Sequence, residues 1–409
     1  MKILYISQYY PPEIGAGGFR AEAIVSGLAF RGHKLTVITE IPNYPLGELY
    51  NGYRNALWQT EKQHNIIIHR VWVQIAKKMN FVRRLVFYFS YTIMALLKGI
   101  LLGAKYDVVY ATSPPLFVGI AGYILSKFYR IPLVFEVRDL WPAIAIESGE
   151  IKSRAAIRLS KWLERFLYSK SKFIVTVTNG FKKRIMQNGI LPNKIEVVYN
   201  FSKSSNQNTE KQLPSNIRSL FSDNKFIVLY AGLIGLFQGV NVIIDAAKLL
   251  REQKELLFLI IGKGTEEPSL KILAEQMNLN NIIWMPPQPS SLIHILLSKA
   301  GCSIIPLKDL PSLRMTIPSK LFDYMGCGCP IILSANGEVR DILKMADAGI
   351  SVEPENPQQL AKAIMYLYEN REIREKFTRN GIDAVRRYFS SENAIRTIEL
   401  ILQKAHNIP

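Results

Sequence analysis

Short apolar, β-branched runs recur along the chain, separated by longer segments of mixed apolar and polar character. In the first half the runs are KILYIS (2–7), KLTVIT (34–39), NIIIHRVWV (65–73), DVVYAT (107–112), PLVFEV (132–137), FIVTVT (173–178) and KIEVVYN (194–200). After the polar stretch SKSSNQNTEKQLPSN (202–216) they resume as KFIVLYAG (225–232), LLFLIIG (256–262), NIIWMP (281–286), CSIIPL (302–307), PIILSA (330–335) and GISVEP (349–354). A strand that is apolar on both faces is covered on both faces, so runs of this kind alternating with helices predict parallel sheets between helical layers. The pattern predicts an α/β chain with two doubly wound domains, joined by the Ser-, Asn- and Gln-rich stretch as a linker or surface loop. From about residue 356 the chain reads as helical, with a break near YFSSEN (388–393).

Ligands of open α/β sheets bind beyond the carboxyl ends of the strands, and two such domains facing each other are expected to form a cleft there. Three glycine turns follow strands. Gly15, Gly17 and Gly18 are read as lying just before a helix that includes Ala21, Ile24 and Leu28; Gly232, Gly235 and Gly239 precede one starting near Val240; Gly262, Lys263 and Gly264 form the third. Glycines let a backbone N–H approach phosphate closely. The spacing is not the dinucleotide G-x-G-x-x-G, so NAD is not indicated. Glu136, Arg138 and Asp139 end another strand, ahead of Trp141-Pro142. Charges there need partners, either in the cleft or as a buried structural pair. PSKLFDYMGCGCPII (318–332) reads as a short helix stopped by Gly326, Gly328 and Pro330. It carries a single carboxylate, Asp323, among Leu321, Phe322, Tyr324 and Met325. Burying that charge costs several kcal/mol unless something pairs with it, so Asp323 is expected to face a ligand.

Composition narrows the partners. The chain of 409 residues is 48% hydrophobic and 21% charged, which fits a globular protein with a large core. Its net charge of +18 calls for an anionic partner: nucleic acid, a membrane surface or phosphorylated small molecules. Basic residues interleaved with aliphatic and aromatic ones, and no groove-reading helix motif, argue against nucleic acid. Cys302, Cys327 and Cys329 are too few for a disulfide framework and fit a reducing, cytosolic setting; Cys327 and Cys329 lack the partners of a zinc site. His33, His64, His69, His294 and His406 show no metal-ligand spacing, and no Ser-His-Asp order or reactive-cysteine context stands out. The start, MKILYISQYYPP, reads as a strand and turn rather than a signal peptide. Residues 62–106 contain no Asp or Glu but carry Lys77, Lys78, Arg83, Arg84, Lys98 and Lys105. Within them LVFYFSYTIMALLKGILLG (85–103) is nearly long enough to span a bilayer. An interfacial amphipathic helix with basic flanks fits better than a buried core helix or a true span.

PPEIGAGG, RGHKLTVIT, SPPLF (113–117), EVRDLWP (136–142), VVYNFS (197–202), GLIGLFQG (232–239) and PSKLFDYMGCGCPIIL (318–333) together resemble the retaining glycosyltransferases of family 4, along essentially the whole length. The likeness looks closest to bacterial O-antigen and capsule enzymes of the N-acetylfucosaminyltransferase type. It implies the GT-B fold, two Rossmann-like domains facing a cleft: residues 1–201 as an acceptor and membrane-associating domain, 217–385 as the nucleotide-sugar domain, and 386–409 as a terminal helix returning to the first. It implies a metal-independent hexosyltransferase without cofactor. The expected partners are a UDP-sugar donor, a lipid-diphosphate-linked saccharide acceptor and an anionic membrane surface on the cytoplasmic side.

Carried over residue by residue, the family's phosphate-approaching glycines match Gly17-Gly18, and its ribose-binding acid matches Asp323, one methylene shorter than the usual Glu. The first acid of the usual Glu pair falls at Met315. The usual phosphate-binding Arg and Lys fall at Leu233 and Gln238, and the frequent active-site His at Arg138. Lys320 and Arg314 are therefore expected to supply the positive charge. The donor-binding set implied is Gly17, Gly18, Gly232, Gln238, Gly264, Pro286, Arg314, Ser319, Lys320 and Asp323; the catalytic set is Lys320, Arg138 and Asp139. The implied reaction is front-face attack with retention. Charge on the departing β-phosphate would be met by cations and helix N-termini, with no separate general base. The competing readings are a nucleotide-sugar 2-epimerase, which shares the GT-B fold, and a basic nucleic-acid-binding protein.

Overall fold

The computed structural model describes residues 1–13, 15–44, 47–76, 81–147, 149–202, 218, 221 and 225–407. Apart from Ser202, the polar linker lies outside the described residues, as do Lys77 and Lys78. The chain forms two compact units, Met1–Tyr199 with Glu392–Pro409, and Asn200–Ser391.

In the first unit the described strands are β1 (Lys2–Ser7), β2 (Lys34–Glu40), β3 (Trp58–Gln63), β4 (Ile66–Val71), β5 (Val108–Ser113), β6 (Leu133–Val137), β7 (Phe173–Thr176) and β8 (Ile195–Val197). They form one sheet in the order β3-β4-β2-β1-β5-β6-β7-β8. Tyr5 of β1 pairs with Val37 on one side and Tyr110 on the other, both in parallel register. Every residue of β5 and β6 is buried, as expected for strands covered on both faces. The expectation of a purely parallel sheet fails at one edge, where β3 runs antiparallel to β4. Its sequence, WQTEKQ, is mostly solvent-exposed and has no apolar run, so hydrophobic periodicity could not reveal it. Glu61 of this edge strand pairs with Arg70 of β4. The terminal helix Ser391–Asn407 closes the first unit: Glu399 binds Arg31 at 2.6 Å and His33 at 2.7 Å, and a Cβ on Gly27 would come 2.2 Å from Ile395.

The helix Phe81–Leu101 is long and apolar enough to cross a membrane by length and composition. Within the unit it is a layer on the sheet. Phe87, Tyr91, Ala95 and Gly99 are buried, and the Tyr91 hydroxyl donates to the Ile38 carbonyl of β2 at 2.9 Å.

The second unit holds β9 (Phe226–Ala231), β10 (Leu256–Ile261), β11 (Ile282–Met285), β12 (Cys302–Pro306), β13 (Ile331–Ser334) and β14 (Gly349–Val352) in the order β11-β10-β9-β12-β13-β14, all parallel. Val228, Tyr230, Phe258, Ile304 and Leu360 lie in its core. The chain steps outward in opposite directions from β9, so the carboxyl end of β9 is the switch point where ligands of such sheets bind. The corresponding point of the first unit is the carboxyl end of β1, between β2 and β5.

Candidate functional site

At the end of β9, Tyr324 fixes the helix Lys320–Gly326 to the strand. Its hydroxyl donates to the Ala231 carbonyl at 2.8 Å and accepts from the Ala231 N–H at 3.0 Å. Leu321, Phe322, Tyr324 and Met325 are buried, while Asp323 is only half-buried. The helix therefore spends its apolar positions on the core and keeps its carboxylate at a partly open position. Ser319 caps the helix, its carbonyl accepting the N–H groups of Phe322 (3.1 Å) and Asp323 (3.4 Å).

The same anchoring delivers Lys320 to the switch point. Its Nζ is buried, lies 4.3 Å from the centre of the Tyr230 ring, and has no hydrogen-bond acceptor. A Cβ on Gly232 would come 2.8 Å from that Nζ. Burial pushes the Lys320 ammonium down to about 7 from its ordinary 10.5, because a desolvated cation without a counter-charge is disfavoured. The turn where the family usually carries Arg and Lys, here Leu233 and Gln238, thus receives a cation from another element. Leu233 itself is 60% exposed, and the Gln238 N–H closes the turn on the Gly235 carbonyl at 3.0 Å.

Gly232, Gly262 and Gly264 have a packing reason. A Cβ on Gly262 would come 1.9 Å from the Gly232 carbonyl oxygen, and one on Gly264 2.1 Å from that of Ile234. The loops after β9 and β10 pack backbone to backbone, with Ile234 N–H donating to the Lys263 carbonyl at 3.1 Å. Pro286, just after β11, is exposed and accepts from Gln288 at 3.0 Å. Arg314 is not brought to the Lys320 ammonium's role: it forms a two-pronged pair with Asp309, at 2.8 and 2.7 Å, on the surface. Met315 is half-buried.

In the first unit, Gly17 and Gly18 lie inside the helix Ala16–Phe30 rather than ahead of it; Gly15 is its cap. Gly17 is where Arg138 packs. The Arg138 Nη1 donates to the Gly17 carbonyl at 2.9 Å and its Nε to the Ser113 carbonyl at 2.9 Å, and a Cβ on Gly17 would come 3.0 Å from Nη2. That Nη2 is buried without a partner. A Cβ on Gly18 would come 3.1 Å from the Glu13 carbonyl oxygen. Burial raises the Asp139 carboxyl above its ordinary value, and neighbouring Arg138 offsets part of the rise. Glu136 has a structural partner. It is fully buried and takes Arg20 at 3.0 Å and the Thr112 hydroxyl at 2.6 Å, while Arg20 also donates to the carbonyls of Tyr199 and Val198, each at 2.9 Å. Burial alone would raise the Glu136 carboxyl, but Arg20, Arg138 and the hydroxyl donors outweigh it and hold the group below its ordinary range.

With this geometry in view, the family comparisons are decisive. The family model described as "Glycosyl transferase 4-like domain" matches residues 15–200, and that described as "Glycosyl transferases group 1" matches residues 214–384. The chain belongs to the GT-B glycosyltransferases. WcaI of Escherichia coli K12, assigned by name to colanic acid biosynthesis as a glycosyl transferase, is 24% identical over 376 residues, 89% of this chain and 91% of that protein. Among solved structures, sucrose-phosphate synthase from Thermosynechococcus elongatus superposes with a TM-score of 0.74 at 14% identity over 98% of both chains. Anabaena HepE, solved in complex with UDP-glucose, gives 0.72 at 17% identity over 99% of this chain and 100% of its own.

The glycosyltransferase also holds functional-looking residues that the sequence reading passed over. Glu13, in the turn after β1, and Glu40, the last residue of β2, form a buried carboxyl pair. Glu13 accepts the N–H groups of Asn43 and Tyr44 at 2.9 Å each; Glu40 accepts from the Gln8 amide at 2.6 Å and the Asn43 amide at 3.0 Å. Burial, and next the negative charge of Glu13, push the Glu40 carboxyl well above the carboxylate range. The available signal was an acid at the end of an apolar strand, which Glu40 shares with Glu136. Burial pushes the thiols of Cys327 and Cys329 up to about 12, away from the thiolate form. Among the described residues no three His, Cys, Asp or Glu side chains are placed to hold a metal ion together.

Proposed function

We propose that this glycosyltransferase moves a sugar from a UDP-sugar to a lipid-diphosphate-linked saccharide, with retention at the anomeric carbon. An N-acetylated 6-deoxy-hexosamine is the first donor sugar to try. The pathway is surface-polysaccharide assembly, of the O-antigen or capsule kind, at the inner face of the cell membrane. The observation that carries the donor half is the buried, acceptor-free Lys320 ammonium at the β9 switch point. A group so placed lacks a hydrogen-bond acceptor until an anion arrives. The neighbour solved with UDP-glucose and the relative named for colanic acid biosynthesis support the donor and pathway readings.

In this reading the bond from the anomeric carbon to the β-phosphate oxygen breaks and a bond to the acceptor hydroxyl oxygen forms on the same face. The acceptor's proton passes to a departing phosphate oxygen. Lys320 stabilises the charge developing on that phosphate, a contribution of the kind worth roughly 100-fold or more in rate. Asp323 accepts hydrogen bonds from the ribose hydroxyls, for which a carboxylate has the lone pairs. Arg138 and Asp139 act on the reacting sugar or acceptor from the carboxyl end of β6, with Arg138 offering its free Nη2.

The test is a panel of UDP-sugars incubated with a synthetic polyprenyl-diphosphate-sugar acceptor, with product configuration read by NMR. Transfer with an inverted linkage overturns the retaining mechanism. Conversion of a UDP-sugar without any acceptor marks an epimerase instead, and no transfer from any UDP-sugar overturns the donor assignment.

A further inference from the structure

Two loops at the carboxyl edge of the first unit's sheet are tied together by acids. Glu13 and Glu40 are 1% and 0% exposed. Glu13 Oε1 accepts the N–H groups of Asn43 and Tyr44, and its Oε2 accepts that of Tyr10 at 3.4 Å, so one carboxylate gathers the turn after β1 and the loop after β2. Asn43 joins the two acids: its N–H goes to Glu13 at 2.9 Å and its side-chain amide to Glu40 at 3.0 Å. Among the described residues, every donor that reaches the pair from outside it is a neutral N–H. The two carboxyl groups are also hydrogen-bonded to each other. Ionised carboxylates carry only acceptor oxygens, so that contact requires a proton between them. Two like charges buried together without a cation are disfavoured for the same reason. The three backbone N–H groups on Glu13 favour its charged form and leave the proton to Glu40.

The side chain delivered by this hold is Tyr44, which is 42% exposed. Its ring lies 4.9 Å from that of Tyr9, and a Cβ on Gly15, the cap of the helix Ala16–Phe30, would come 3.7 Å from its Cε1. Its hydroxyl is raised above its ordinary value by burial, then by the charges of Glu13 and Asp139, so it faces the carboxyl end of β6. The Tyr44 carbonyl accepts the Tyr50 hydroxyl at 2.9 Å. The groups that face the two acids from the surrounding elements are phenols: Tyr9 from the turn after β1, Tyr44 from the loop after β2, and Tyr88 and Tyr91 from the helix Phe81–Leu101. Burial raises all four, so they stay neutral wherever a carboxyl titrates. Arg70, which donates to the Pro11 carbonyl of the same turn at 2.6 Å, is paired with Glu61. Asp139, beyond Tyr44, is the remaining acid on this side.

We propose that Glu13 and Glu40 share one proton and act as a positioning pair, holding the loop after β2 so that Tyr44 stands beside Asp139 at the switch point of the first unit. Buried as they are, the two acids act through Tyr44 and not on substrate. The proposal rests on the reading that Arg138 and Asp139 serve the reacting sugar or acceptor, so its test has arms that contain no substrate. Hydrogen exchange of the Asn43 and Tyr44 amides, corrected for the intrinsic pH dependence of exchange, reads the hold on the loop. Losing the shared proton should open it, so protection is expected to fall by about tenfold per pH unit above the midpoint of that loss. Glu40→Gln keeps an N–H for Glu13 with no proton to lose, and Gln8 Oε1, buried without a partner, can turn to take the second amide hydrogen. Protection in this variant should stay at the wild-type level and become flat with pH, whereas Glu13→Ala should lower it at every pH. Infrared spectra of the wild type should show a protonated-carboxyl band that vanishes with the same midpoint and is missing in Glu40→Gln. With a donor–acceptor pair from the panel above, kcat at saturating donor should follow the wild-type protection curve and lose that alkaline limb in Glu40→Gln; saturation removes the titration of the free protein's Lys320 from the curve. A wild type that transfers nothing overturns the donor reading and leaves exchange and infrared to decide the pair. Flat protection in the wild type, a limb that survives in Glu40→Gln, or unchanged protection in Glu13→Ala overturns the pair. A kcat limb that persists in Glu40→Gln after the protection limb is gone overturns the positioning role. If Glu40→Gln does not fold, wild-type exchange and infrared midpoints that differ from each other overturn the shared proton.

Discussion

Binding of UDP to the second unit is expected to draw a proton from solution onto Lys320. In the free protein burial holds this ammonium at about 7 instead of 10.5. At pH 8 about nine-tenths of the molecules therefore carry neutral Lys320, and at pH 7 about half. Tyr230 supplies only its ring face, and the ammonium has no acceptor. A diphosphate oxygen reaching Nζ provides both the missing acceptor and a counter-charge, and each favours the protonated form. If the bound amine regains its ordinary value, uptake is about 0.9 proton per UDP at pH 8 and about 0.5 at pH 7. Above pH 6, the range in which phosphate loses its last proton, UDP itself contributes little at pH 8.

Calorimetric titration in two buffers of different ionisation enthalpy reads this uptake as the difference in observed heat. Lys320→Met should bring it near zero. The bound state holds more protons than the free state, so affinity should fall as pH rises above about 7, by up to tenfold per unit. The free protein shows the opposite trend. Between about 7 and 10.5 the unfolded chain binds the proton that the folded one refuses, so this residue makes stability rise with pH across that window. Identical heats in both buffers at pH 8, or undiminished uptake in Lys320→Met, would refute the placement of Lys320 against the diphosphate.

Asp323→Ala should weaken UDP binding by about 2–4 kcal/mol and abolish most of the preference for UDP over 2′-deoxy-UDP; equal discrimination by both proteins means the carboxylate faces something else. Gly264→Ala would drive a methyl against the Ile234 carbonyl, so it should cost UDP affinity by displacing the loop after β9, and a variant binding UDP normally counts against that loop as part of the site. Glu136→Gln leaves Arg20 buried without its counter-charge and should cost about 3–5 kcal/mol in denaturant unfolding. Because the Glu136 carboxyl is held below its ordinary 4.5, its contribution is full above that pH and disappears as pH falls through the lowered value; an unchanged midpoint in Glu136→Gln at pH 7 contradicts the pairing.

The alternation of strands and helices was written locally. Each quoted apolar run contains a strand, because an uninterrupted β-branched run can satisfy its surface only between two layers. The apolar face of the helix Lys320–Gly326 was legible for the same kind of reason: Leu321, Phe322, Tyr324 and Met325 are buried while Asp323 stays half-buried. Where the local signal was weak the reading failed, as at β3, whose polar residues lie on an exposed edge, and at Gly17, whose place inside the helix depends on what packs against it.

The pairing of charges was decided by the tertiary structure. Arg20 and Glu136 lie 116 positions apart and meet at 3.0 Å. Lys320 was the expected cation with Arg314 beside it, and the fold gives Arg314 to Asp309 and leaves Lys320 buried against Tyr230 and Gly232. Hydrophobic period and backbone sterics belong to neighbouring residues, so the sequence by itself determined most of the elements. The chemistry of a charge depends on its solvation and on whatever lies within a few ångströms, and only the folded chain sets those distances.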